Sequence, residues 1–130
     1  MTQKRMRTIE VAHFGGTTRV VDSGSLDALL TERNAEGFNE FWISGEAKFP
    51  VLVISVREQN AAVHFFPEDR NPGFHSIRHE APGNAVVLRT IGEEIQVASE
   101  AIVSFEDARR AAHEFVDTLA LPTTLKWFQL

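Results

Sequence analysis

The sequence predicts an α+β fold, a mainly antiparallel sheet with two helices packed on one face. Three observations carry that prediction. Short apolar or alternating runs succeed one another at hairpin-sized spacing, most densely over residues 49 to 97. Two segments, near residues 26–33 and 105–119, switch to helical spacing. The strand–helix–strand alternation that makes parallel crossovers is absent, which leaves helices segregated to one side of an antiparallel sheet.

Thr8 to Phe14 alternates, with Ile9, Val11 and His13 on one side, as a half-buried strand does. Gly15-Gly16 reads as its turn, and β-branched Thr17 to Val21 as the returning strand of a hairpin. Leu26, Leu29 and Leu30 then recur at helical spacing, with Ser25 expected as N-cap and Asp27 in the first turn, giving a helix from about Leu26 to Arg33. Phe38 to Ser44 has the aromatic and β-branched content of a strand. Phe49 to Val56 is almost wholly apolar, the pattern of a central strand covered on both faces. Ala61 to Phe66 returns from it after a polar turn at 57–60.

Beyond Phe66 the apolar run stops. Pro67, Glu68, Asp69, Arg70, Asn71 and Pro72-Gly73 form a loop braced by two prolines, and Phe74 to Ile77 resumes as a short strand. A turn at Ala81-Pro82-Gly83-Asn84 leads to a strand at Ala85 to Thr90, and a turn at 91–94 to one at Ile95 to Val97. Ser104 reads as the N-cap of the second helix, whose face of Phe105, Ala108, Ala111, Ala112, Phe115, Val116 and Leu119 is wide enough to lie on a sheet. Leu121-Pro122 is expected to stop it, and Thr123 to Leu130 to close the chain as an edge strand or tail.

The 130 residues fit one domain, with residues 1–7 as a flexible leader. No cysteine is present, which excludes disulfides, thiolate metal sites and a cysteine nucleophile and fits a reducing cytoplasm. No apolar run approaches the roughly 20 residues that span a bilayer, nor does one follow the basic N-terminus. The net charge is −5, and without Lys4, Arg5 and Arg7 the remainder holds 10 basic against 18 acidic residues, or −8. Such a body repels phosphate backbones, so a basic protein partner is expected and direct nucleic-acid binding is not.

Signals for catalysis and for cofactors are missing. His75 and His79, four apart in extended chain, would lie roughly 13 Å from one another, too far to share an ion. Glu68-Asp69 has no nucleophile and base beside it, and neither phosphate-binding glycine motif occurs. Two readings stand on the residues alone. One makes the 67–75 loop a contact surface for another protein. The other makes the domain a small-ligand or regulatory module whose aromatic cavity involves Trp42 and Phe66.

The stretch VHFFPEDRNPGFHSI at 63–77, the closing LPTTLKWFQL, the strand after Pro50, the Gly73-Phe74 turn and the helix over 108–119 together resemble a family of bacterial immunity proteins. It is the polymorphic-toxin immunity family numbered first in its series, typically encoded beside toxins with a nucleic-acid deaminase domain. The resemblance implies a cytoplasmic, non-enzymatic α+β antitoxin that forms a 1:1 complex with its toxin and blocks the toxin's active site. On that reading Glu68, Asp69, Arg70, Asn71, Phe74 and His75 are the expected toxin-binding residues. The carboxylates suit a basic groove, the amide and guanidinium suit directed hydrogen bonds, and the ring suits an anchor. Trp127 is expected to serve the core.

Overall fold

The structure, a computed structural model, describes residues 8–78, 86–90 and 93–130. The leader 1–7, His79, the expected turn at 81–84 and Ile91-Gly92 lie outside the described residues. The strands are β1 (Ile9–His13), β2 (Gly16–Val20), β3 (Phe38–Ser44), β4 (Val51–Arg57), β5 (Asn60–Phe66), β6 (Phe74–Ile77), β7 (Val86–Thr90), β8 (Glu93–Val97), β9 (Val103–Ser104) and β10 (Lys126–Gln129). The helices are α1 (Ser23–Leu30) and α2 (Phe105–Thr118).

The main sheet runs β10-β6-β5-β4-β3-β1-β2, with β9 added beside β5, and its pairings are antiparallel. β4 stands in the middle, and its residues 51–56 are all buried, as a run of apolar residues without alternation requires. Because side chains alternate along a strand, Leu52, Ile54, Val63 and Phe65 point to one face, where Ala108, Ala111, Ala112, Phe115 and Val116 of α2 and Leu26, Leu29 and Leu30 of α1 join them in one core. The alanines of α2 let the helix lie close to the sheet, and Phe115 meets Phe65 edge to face at 6.1 Å. α2 begins where Ser104 Oγ accepts the Asp107 amide at 3.0 Å and ends at Leu119, in the left-handed region with φ 50°.

Four expectations shift. The first hairpin turns at Phe14-Gly15, since Gly16 already pairs with His13; His13 Nδ1 accepts the Gly15 amide at 3.1 Å and pins the turn. α1 is capped by Asp22, whose carboxylate accepts the Ser25 amide at 2.7 Å, so the helix starts earlier and stops at Leu30 rather than Arg33. Asp27 therefore lies in the second turn, facing α2. Glu93 and Glu94 belong to β8, paired with Thr90 and Arg89. β7 and β8 form a separate two-stranded sheet, and Leu88 packs with Ala62 and Ile102 on the face away from the helices.

Candidate interaction surface

The loop after β5 is held from within. Asn71 Oδ1 accepts the Gly73 amide at 2.8 Å, and the Asn71 amide reaches the Glu68 carbonyl at 3.4 Å. Gly73 has φ +79°, and a Cβ there would overlap the Phe65 carbonyl oxygen, so only glycine fits this approach. The Leu130 amide donates to the Gly73 carbonyl at 2.9 Å, which ties the C-terminal strand to the loop. Arg70 is left-handed at φ 65°, a conformation a non-glycine residue holds only where its surroundings impose it. Glu68, Asp69 and Arg70 are consequently presented to solvent, whereas the Asn71 carbonyl oxygen is committed to the loop.

β6 divides the remaining two predicted residues between the faces. Phe74 turns toward the helices, its ring 6.1 Å from Phe65. His75 points the other way, into a row of rings that sequence reading did not find. The pairings Trp42↔Val53, Val53↔His64, His64↔His75 and His75↔Phe128 place these residues on one line across β3, β4, β5, β6 and β10. Phe66 flanks the line. It stacks on Trp42 at 6.4 Å and 11° and on His64 at 6.1 Å and 6°, while His75 stacks on Phe128 at 5.2 Å. Trp42 and Phe66 thus do meet, but on a sheet face. A cleft of about 220 Å³ lies elsewhere, lined by Gln59, Asn60, Arg78 and Asp107 with Ile102, and it is polar in character.

Hydrogen bonds orient this row. Trp42 Nε1 donates to Glu40 Oε1 at 2.8 Å, and Glu40 is itself buried. His75 Nδ1 lies 2.9 Å from the Ser76 carbonyl, which can only accept, so Nδ1 carries the proton and Nε2 keeps its lone pair when the ring is neutral. Burial, with His75 beside it at 6.2 Å, pushes the His64 imidazole below its ordinary pKa and keeps it neutral. Across the molecule, Asp27 receives His113 Nε2 at 2.7 Å and Arg109 at 3.2 Å, and these bonds, His113 first, hold its carboxyl below the usual range. That network joins the two helices and leaves the ring row untouched.

Trp127 faces the core and donates from Nε1 to the Pro122 carbonyl at 2.7 Å. Among the described residues no group of three or more His, Cys, Asp or Glu could hold a metal ion. No helix among them is long and apolar enough to cross a membrane. An acidic loop fixed by Asn71 and Gly73 thus borders a row of aromatic rings on one sheet face. The chain belongs to the immunity protein Imm1 family, whose model matches residues 17–129. A similar protein from Burkholderia cenocepacia (strain H111) is named a double-stranded DNA deaminase immunity protein; it is 28% identical over 120 residues, covering 90% of this chain and 96% of that protein. The chain is an immunity protein of α+β fold.

Proposed function

We propose that this protein is the antitoxin of a nucleic-acid deaminase toxin, which it binds 1:1 in the cytoplasm and silences by covering the active site, with no chemistry of its own. The observation that carries the reading is likeness along nearly the whole chain to a protein named for immunity to a double-stranded DNA deaminase. Two physical features support it. A deaminase that acts on a polynucleotide must hold a polyanion, so its substrate channel is basic. This chain carries a net charge of −5 and exposes Glu68 and Asp69 on a loop fixed by Gly73 and Asn71. Acidic groups held this way enter a basic channel as a substrate phosphate would, and the long-range attraction speeds capture of newly made toxin.

The test is a titration of deaminase activity on DNA, using the toxin domain encoded beside this protein's gene. Activity should fall linearly and vanish near one equivalent, and the two proteins should co-elute. Activity that persists at large molar excess of this chain would refute the reading.

A further inference from the structure

We propose that the toxin domain seats on the ring row Trp42, Phe66, His64, His75 and Phe128, and that the 67–73 loop is the acidic margin of this seat rather than its centre. The inference rests on the antitoxin reading above and assigns its binding energy to a part of the molecule that the loop alone does not suggest.

The row has the properties of an interface core. Its members come from β3, β5, β6 and β10, four strands fixed in register, so the rings are already in place before binding and little freedom is lost when they are covered. Aromatic side chains supply large contact area for few rotatable bonds, which is why they dominate binding hot spots. Phe128 is 54% exposed at the end of the row, a large apolar ring on the terminal strand of the sheet. His75, stacked on it, offers Nε2 as an acceptor to a donor from outside. On the other side of the same strands Phe41, Phe65, Phe74 and Trp127 belong to or pack against the main core, whereas on this side β7 lies over part of β3 to β5 and the row emerges beyond it to end in the exposed Phe128.

The neighbouring charge identifies the occupant. Glu68 and Asp69 stand exposed on the connection between β5 and β6, the two strands that carry Phe66, His64 and His75. Rings bordered by carboxylates suit a partner whose apolar contact is framed by basic groups, as the mouth of a polynucleotide-binding channel is. A polynucleotide could also stack bases on such rings, but stacking platforms work beside basic grooves, and this chain is acidic.

Binding kinetics with the catalytically inactivated toxin domain encoded beside the gene separate the possibilities. Phe128→Ala should raise Kd at least about 30-fold, through faster dissociation. His75→Ala should act in the same direction. Phe14→Ala, which removes another exposed ring at the far end of the sheet, should stay within about 2-fold. Reversal of both Glu68 and Asp69 to Lys should mainly slow association, and less so as salt is added. Melting temperatures of Phe128→Ala and wild type should agree, since the ring is largely solvated. If wild type binds and neither Phe128→Ala nor His75→Ala weakens the complex, the seat is overturned and the antitoxin reading survives. Failure of wild type to bind would overturn both. Binding of a single-stranded DNA oligonucleotide by wild type, lost in Phe128→Ala, would overturn the seat by assigning the row to nucleic acid.

Discussion

The two faces of the main sheet share the same strands and meet opposite demands. On one face Val63 and Phe65 of β5 disappear beneath α2, whose small residues Ala108, Ala111 and Ala112 set the spacing. On the other, His64 and Phe66 of the same strand are only partly buried and stack on one another. The closed face is matched to a partner inside the chain, so its side chains are mostly aliphatic or plain phenyl rings, and the one indole there, Trp127, spends its N–H on the Pro122 carbonyl. The other face mixes phenyl rings with the His64 and His75 imidazoles and the Trp42 indole, and the polar ends of Trp42 and His75 have defined bonds. The difference teaches that one period-2 pattern can build a core and a contact surface at once, with the choice of residue on each side recording which is which.

The sharpest way to break this comparison is to remove the same volume from each face. Phe115→Ala leaves a cavity in the closed core and should cost about 3–5 kcal/mol of stability. Chemical denaturation would read this as a large fall in midpoint, while the folded fraction keeps its affinity for the toxin. Phe128→Ala should do the reverse, sparing the midpoint and weakening the complex. Equal loss of stability from both would erase the distinction between the faces.

A smaller effect tests the joint between them. Gly73→Ala forces a side chain into a left-handed backbone position that already crowds the Phe65 carbonyl, and it should cost about 1–3 kcal/mol. The midpoint should move without a change in slope, and the loop charges should lose their placement. A neutral result would mean that the approach of the loop to β5 is not what fixes it.

The smallest effect belongs to pH. His64 has its pKa lowered in the folded state, so the unfolded chain binds the extra proton first as pH falls. Its contribution is fully present above the unfolded value near 6.5 and is lost as pH falls through the lower folded value. Denaturation midpoints should therefore drop between pH 7.5 and the weakly acidic range, and His64→Phe should drop less. A midpoint indifferent to pH, or one rising as acid is added, would contradict the assignment.

Much of this architecture was legible in the sequence because local patterns determine it. The helical spacing of Phe105 to Val116, the Ser104 cap and the apolar run of β4 each act over a few residues, and the structure agrees with them. The α1 cap was misread because Asp22, Ser23 and Ser25 are all capping residues. The hydrogen bond to Ser25 N–H decides for Asp22, and no propensity does. Exposure of Glu68, Asp69 and Arg70 followed from two prolines and a glycine around a polar run. The ring row did not follow from anything local. Trp42 and Phe128 are 86 positions apart, and only the register of four successive strand pairings brings them into line. Phe74 and His75, adjacent in sequence and expected to act together, are sent to opposite faces by that same alternation.

Hydroxyl-radical footprinting of this protein, free and bound to the proposed toxin domain, is the most direct measurement, because exposed rings are oxidised and covered ones are spared. Phe128, Phe66 and Trp42 should become protected in the complex, with Phe14 at the far end of the sheet oxidised equally in both states. Undiminished oxidation of Phe128 in a saturated complex, with protection confined to the helix side, would contradict the ring-row seat.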